Sequence, residues 1–215
     1  MIKSRFGDDV DRVIHRIFPF VKGIRLRPDT LTVIGVMGFV AASVAFATGH
    51  VRLGGLVLVL AGFFDLIDGV VARSQGSSSR AGALLDSSMD RLGDLLMFSG
   101  IAVGMAREGA IGGVVLTSWA LSGSVMTSYV RARAESQLHS LDVGLLERAE
   151  RVGLIAVAAL LGYLVVGLWI VAIGATITAT QRIVVARRHL RELERTGRDP
   201  TRPETQTEIF PQESR

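Results

Sequence analysis

Residues 65–90 read DLIDGVVARSQGSSSRAGALLDSSMD and place four carboxylates in or beside apolar runs. An unpaired charged carboxylate inside a membrane helix costs about 2.5 to 3.5 kcal/mol. Asp65 and Asp68 are spaced i, i+3, so they share one helix face. Asp86 and Asp90 are spaced i, i+4 and also share one face. The segment predicts two antiparallel helices joined by a short polar loop, with their acidic faces meeting at one depth.

The four carboxylates need a compensating charge, because they cannot all stay ionised close together. Oxygen ligands that converge from two helices suit Mg²⁺ or Mn²⁺ better than zinc. We therefore expect one or two divalent ions, two being the favoured number, in this place. The predicted metal ligands are Asp65, Asp68, Asp86 and Asp90. The structural alternative is a set of buried ion pairs with neighbouring arginines such as Arg73.

The composition of the whole chain indicates a membrane protein. Of its 215 residues, 49% are hydrophobic and none is cysteine, which leaves too little polar surface to cover a soluble globule. A spanning helix needs about 20 predominantly apolar residues. The candidate runs cover residues 31–48, 53–73, 83–105, 111–130, 151–166 and 168–186, with the last two separated at Gly167. This pattern predicts an all-α, polytopic membrane protein with six transmembrane helices.

The two ends of the chain differ from this central part. Between Asp8 and Val21 the apolar residues recur at helical spacing, and Pro19 is expected to kink or end that helix. We interpret it as an interfacial amphipathic helix on the bilayer surface, and an ordinary packing helix is the alternative. The predicted organisation is a juxtamembrane segment at 1–30, a membrane domain at 31–190 and a disordered cytoplasmic tail at 191–215.

Basic residues set the expected orientation in the membrane. They are concentrated before the first apolar run and after the last one, whereas only Arg52 and Arg107 fall in the loops of the opposite side. By the positive-inside rule, both termini and the acidic site face the cytoplasm at the cell membrane. The net charge of +4 does not indicate nucleic-acid binding, because these residues flank apolar runs and aromatic residues are only 6% of the chain.

The full string is Asp65-x2-Asp68-Gly69-x2-Ala72-Arg73-x8-Gly82-x3-Asp86-x3-Asp90. It resembles the signature of the CDP-alcohol phosphatidyltransferase family, and every fixed position is matched. The resemblance implies that the aspartates bind the metal ions and that Asp90 is also the general base. It further implies transfer of a phosphatidyl group from CDP-diacylglycerol to an alcohol, release of CMP, and a homodimer.

The same resemblance implies a pocket for the CDP-linked lipid beside the aspartates. Gly69 and Ala72 would let a flat nucleotide ring approach the backbone, and Arg73 would present a planar fork to phosphate oxygens. The implied set is Asp29, Thr30, Thr32, Gly69, Ala72, Arg73, Ser79 and Gly82. Close helix packing is the alternative explanation for the small residues, and the segment that begins at Pro28 is also typical of a helix start.

Three segments outside the signature are similar to the branch of this family that uses inositol phosphate as acceptor. They cover residues 128–135, 147–151 and 181–182, and by the predicted topology all reach the cytoplasmic side. The implied acceptor-phosphate ligands are Ser128, Arg131, Arg151 and Arg182. The chain departs from that branch at Arg131, where a lysine is expected, so a fork replaces a point donor. Glycerol 3-phosphate is the alternative acceptor.

A transporter is the alternative from another functional class, because carboxylates in membrane helices also carry protons or cations. Such a protein is expected to hold its carboxylates near the middle of the bilayer and to show repeat symmetry. Here the carboxylates cluster toward one face, and the sequence shows no convincing internal repeat. These two features favour the enzyme.

Overall fold

The computed structural model describes the backbone of residues 28–74, 80–138 and 140–196, and the side chains within them except those of 28–33 and 64–80. All regular structure in this part of the chain is helical, which confirms the predicted all-α class. The helices are α1 Pro28–Ala47, α2 Val51–Ser74, α3 Arg80–Arg107, α4 Ile111–Glu135, α5 Arg148–Leu161 and α6 Leu164–Thr196. The predicted amphipathic helix at the N-terminus lies outside the described residues.

Tight turns that contain a glycine separate three of the consecutive helix pairs. Gly49, Gly109 and Gly162 have φ values of 83°, 71° and 81°, a left-handed conformation that glycine adopts without steric cost. The first two turns fall where the apolar runs 31–48 and 53–73, and 83–105 and 111–130, were predicted to be separated. The predicted break at Gly167 is wrong, because this residue lies inside α6 and lets that helix approach Ala158 closely.

Small residues bring α1 against α3. A methyl group built on Gly100 would overlap the backbone of Ser43, and one built on Gly104 would overlap the backbone oxygen of Phe46. α1 also packs against α2, so it touches both helices that carry the predicted metal ligands. Further pairs are α2 with α5, α3 with α4, α4 with α6, and α5 with α6. Close backbone approach through glycine is typical of helix pairs in membranes.

By length and composition, α4 and α6 qualify as helices able to cross a membrane. The described apolar parts of α1 and α2, at Ile34–Ala47 and Val51–Phe63, are shorter than a full span. The outer face of α6 exposes large apolar side chains, among them Val165, Val166, Trp169, Ile170, Ile173 and Ile177. A continuous exposed apolar surface of this kind fits contact with lipid.

The last helix is longer than the sequence predicted. α6 runs to Thr196, so the predicted tail boundary at residue 190 falls within a helix. Leu190 and Leu193 pack against a small buried cluster that includes Leu138 and Leu141. This packing explains why a segment rich in charged residues is ordered there.

We predict that Gly100→Ala destabilises the protein, because the added methyl group overlaps the backbone of Ser43. Overpacking of this kind costs about 1–3 kcal/mol. The measurement is the thermal unfolding midpoint of the purified protein in detergent. Gly62→Ala is the matched control, since a methyl group there meets nothing within 4 Å. Equal midpoints for the two variants would contradict the packing described.

Candidate active site

The first half of α3 carries a row of acidic side chains that runs from the surface into the core. Asp86, Asp90 and Asp94 recur every four residues and therefore follow one side of the helix. Asp86 is exposed, and the side chain of Asp90 is 29% exposed. Asp94 is buried, with a side-chain exposure of 6%.

Two arginines at the start of α5 meet this acidic row. Glu147 caps α5 in a reciprocal capping box with Glu150, and its backbone N–H donates to Glu150 Oε2 at 2.7 Å. The cap defines where the helix begins. Arg148 and Arg151 are therefore the first and fourth helical residues and lie on one face.

Ion pairs connect α3 to α5. Arg148 Nη1 lies 2.8 Å from Asp90 Oδ1, and Arg148 Nε lies 3.5 Å from Asp94 Oδ1. Arg151 Nη2 lies 3.4 Å from Asp94 Oδ2. The guanidinium of Arg148 also stands over the ring of Phe39 in α1, 5.3 Å from its centroid. The predicted base and a predicted acceptor ligand thus belong to one connected network.

The sequence prediction did not include Asp94 or Arg148 among the site residues. The signal available for Asp94 is the continued spacing Asp86-x3-Asp90-x3-Asp94, and that for Arg148 is its position after the Glu147 cap. Neither of these sequence features predicts that Asp94 and Arg148 are in contact. Their pairing depends on which face of α5 turns toward α3.

The predicted metal ligands lie on α2 and α3, the two helices that α1 contacts. The side chains of Asp65 and Asp68 are outside the described residues, and among the described side chains no group of three or more metal-ligating residues occurs. Asp90 directs Oδ1 at a cationic guanidinium, and Asp86 lies one turn away. The four predicted ligands are all carboxylates, which suit a hard divalent cation.

The three arginines of the predicted acceptor pocket converge near the junction of α4, α5 and α6. Arg131 and Arg151 both act electrostatically on the buried Arg182. Arg182 donates from Nε to the Val143 oxygen and from Nη1 to the Thr127 oxygen, each at 2.8 Å. This residue therefore also fastens the α4–α5 loop to α4.

Each of the other two arginines has its own partners. Arg131 Nε donates to Glu135 at 2.9 Å, and its Nη2 lies 3.7 Å from Asp142. Arg151 donates from Nη1 to the Leu146 oxygen at 3.1 Å. Its buried Nε has no hydrogen-bond partner within the described part of the chain. Buried donors are normally paired, so this nitrogen is well suited to a ligand oxygen.

The remaining predicted site residues are less completely described. Ser128 is partly buried on α4, three residues before Arg131, and Gly82 lies near the start of α3. Ser79, which was also predicted to line the CDP-lipid pocket, lies outside the described residues. For the other predicted residues of that pocket, the backbone is described and the side chains are not. Their roles stay predictions.

The architecture agrees with comparisons to known proteins. A family model described as CDP-alcohol phosphatidyltransferase matches residues 25–188. The chain belongs to the CDP-alcohol phosphatidyltransferase family. This confirms the family and the enzyme class that the aspartate signature indicated.

Relatives in this phosphatidyltransferase family include an archaetidylinositol phosphate synthase of Pyrococcus horikoshii, which is 35% identical over 87% of this chain and 97% of its own length. A phosphatidylinositol phosphate synthase of Mycobacteroides abscessus is 36% identical over 74% of this chain and 77% of its own length.

Two solved structures of Mycobacterium tuberculosis phosphatidylinositol phosphate synthase are also similar. The one with CDP-DAG bound has a TM-score of 0.72 and 32% identity, and the match covers 81% of this chain and 94% of the other. The one in complex with manganese and citrate has a TM-score of 0.67 and 31% identity, over 83% and 87% of the two chains.

Thr178 provides a test of how the α4–α5 loop is held. Its Oγ accepts hydrogen bonds from the backbone N–H groups of Leu145 and Leu146, at 3.2 and 3.1 Å. Thr178→Val keeps the shape and removes this acceptor. Because a hydrogen bond contributes roughly 1 kcal/mol, we expect these two amides to exchange hydrogen about fivefold faster.

Hydrogen exchange followed by mass spectrometry measures the effect. Thr180→Val is the matched control, because the Thr180 hydroxyl is exposed and donates only within its own helix, to the Thr176 oxygen. Unchanged exchange at the loop in Thr178→Val would show that the hydroxyl does not hold it.

Proposed function

We propose that this enzyme transfers the phosphatidyl group of CDP-diacylglycerol to the hydroxyl of inositol 1-phosphate, giving phosphatidylinositol phosphate and CMP. The observation that carries the proposal is the convergence of Arg131, Arg151 and Arg182 beside the network that contains Asp90. Free inositol, serine or choline would not require such a concentration of guanidinium groups. A dianionic phosphate on the acceptor does require several guanidinium groups to bind it.

The similar proteins support this acceptor. The relatives from Pyrococcus horikoshii and Mycobacteroides abscessus differ in the lipid part of their names, archaetidyl in one and phosphatidyl in the other. Both names share inositol phosphate. The likeness to a structure with CDP-DAG bound supports the donor.

Divalent ions, Mg²⁺ or Mn²⁺ and two in number, are proposed as the cofactors. The manganese in a similar structure supports this class of metal. The residues that would hold the ions are Asp65, Asp68, Asp86 and Asp90. When bound, such ions neutralise the diphosphate and polarise the phosphorus next to the lipid.

The chain's own residues have separate tasks in the proposed reaction. Asp90 accepts the proton of the acceptor hydroxyl as the oxygen attacks the phosphorus. Arg131, Arg151 and Arg182 hold the acceptor phosphate, with Arg151 Nε as one donor and Ser128 as a further contact. Asp29, Thr30, Thr32, Gly69, Ala72, Arg73, Ser79 and Gly82 are proposed to line the CDP-lipid pocket.

The proposal also includes the arrangement of the helices in the membrane. All six helices cross the cell membrane, and both termini and the active site face the cytoplasm. The exposed apolar face of α6 and the basic residues that flank the apolar runs support it. We also propose a homodimer.

We predict that Asp90→Asn strongly lowers turnover while CDP-diacylglycerol still binds, because the amide cannot accept the proton. General-base catalysis contributes about 10²–10⁴-fold, so kcat should fall by at least about 100-fold. The measurement is CMP release by the purified protein with CDP-diacylglycerol, Mg²⁺ and inositol 1-phosphate. Removal of the divalent metal by a chelator should also stop CMP release.

Glu108→Gln is the control for that assay, since Glu108 lies in the turn after α3, at the end of the helix away from Asp90. Parallel reactions use glycerol 3-phosphate as acceptor, and mass spectrometry identifies the lipid product. Release of CMP with glycerol 3-phosphate alone would assign that acceptor instead. Ion flux in liposomes without any lipid product would favour a transporter.

We predict that Arg131→Ala raises the KM for inositol 1-phosphate and leaves the KM for CDP-diacylglycerol unchanged. Loss of a hydrogen bond to a charged group costs about 1.5–3 kcal/mol, which corresponds to about 10- to 100-fold in KM. Arg133→Ala is the matched control, because Arg133 is an exposed arginine on the same helix turn. Equal KM values for the two variants would exclude Arg131 from the acceptor pocket.

A further inference from the structure

Asp94 is a buried carboxylate for which the proposed chemistry has no task. The residue as a whole is 4% exposed, and it lies one turn deeper in α3 than Asp90. An acidic side chain is almost never this buried unless it is paired, because desolvation of the charge is costly. The identity of its partners therefore indicates what the residue is for.

Both partners of Asp94 come from the first turn of α5. Its two oxygens face Arg148 Nε at 3.5 Å and Arg151 Nη2 at 3.4 Å. Each distance exceeds the range of about 2.7–2.9 Å that is typical of a tight charge-assisted hydrogen bond. One carboxylate thus pairs with two guanidinium groups and forms a tight charge-assisted hydrogen bond with neither of them.

Arg148 reaches Asp90 from this shared position. Its Nη1 lies 2.8 Å from Asp90 Oδ1, and its guanidinium crosses Gly93, where an added methyl group would come within 3.3 Å of Nη2. Phe39 covers one face of the same guanidinium. Asp94, the Phe39 ring and the glycine surface together determine how Arg148 approaches the predicted base.

Arg151 depends on Asp94 in a comparable way. It is 2% exposed, and its two terminal nitrogens point to the Leu146 oxygen and to Asp94. These contacts fix the plane of the guanidinium. They also fix the direction of the Nε–H group, a donor without a hydrogen-bond partner in the described residues.

We propose that Asp94 is a positioning residue for phosphatidyl transfer: it holds Arg148 against Asp90 and orients Arg151 toward the acceptor phosphate. Arg148 is thereby a further residue of the site. This inference rests on the proposed function, since it assigns both effects to the acceptor step. A merely structural Asp94 would neutralise two arginines without affecting acceptor affinity.

The test compares Asp94→Asn and Asp94→Glu in the full-length protein. Inositol 1-phosphate binding is measured by titration calorimetry, and the KM for each substrate by CMP release. We expect Asp94→Asn to raise the Kd for inositol 1-phosphate about tenfold or more, because the Arg151 fork loses its orientation. The KM for CDP-diacylglycerol should stay within about twofold of wild type. Asp94→Glu keeps the charge and should restore most of the affinity.

Arg148→Gln separates the two effects of Asp94. It should lower kcat about tenfold, because the contact to Asp90 is lost, and leave the Kd for inositol 1-phosphate within about twofold, because Arg151 keeps its own contact to Asp94. The double variant Asp94→Asn with Arg148→Gln should lower kcat no further than the more affected single variant, as expected for residues that act in series. Glu108→Gln is the control for loss of an acidic charge elsewhere.

An unchanged Kd for inositol 1-phosphate in folded Asp94→Asn would overturn the proposal. If Asp94→Asn does not fold, Arg148→Gln decides the matter, since its side chain is 19% exposed and less embedded than Asp94. An unchanged kcat in that variant overturns the proposal. If the wild-type protein releases no CMP with inositol 1-phosphate, the proposed function is refuted as well. If the wild type is active and the variants behave like it, only the role of Asp94 is refuted.

Discussion

The buried carboxylate of Asp94, shared between two arginines of α5, is the constraint on which the site depends. A charge at this depth is tolerated only with paired partners, so α3 and α5 have to meet at these residues. The capping box at Glu147 then fixes where α5 begins. Arg182 and Thr178 fasten the preceding loop to α4 and α6. Polar contacts thus hold four helices in one arrangement.

The rest of the fold relies on close packing of small residues. Gly100 lets α3 approach the backbone of α1, and Gly55 does the same for α2 and α5. Lipid does not drive apolar helices together, so close van der Waals contact and interhelical hydrogen bonds supply the association. The outward apolar side chains of α6 fit this environment. The helices that carry the aspartates are therefore placed by backbone contacts that leave little freedom.

The arginines near the aspartates combine structural and chemical duties. Arg182 joins the α4–α5 loop to α4 through one backbone oxygen of each, and Arg148 links the predicted base to the buried Asp94. The planar guanidinium makes this possible, because it presents several donors in fixed directions. A lysine would supply the charge without those directions. The same donors make the junction suitable for a phosphorylated acceptor.

The sequence by itself determined the properties that depend on local pattern. The aspartate signature identified the family, and apolar runs and turn glycines predicted the helices, since periodicity and backbone preference act over a few residues. It misplaced one break at Gly167, because a glycine that serves helix packing looks like one that ends a helix. Only the tertiary structure paired Asp94 with Arg148 and Arg151. The physical reason is that the pairing depends on how two distant helices are rotated against each other, which no local pattern specifies.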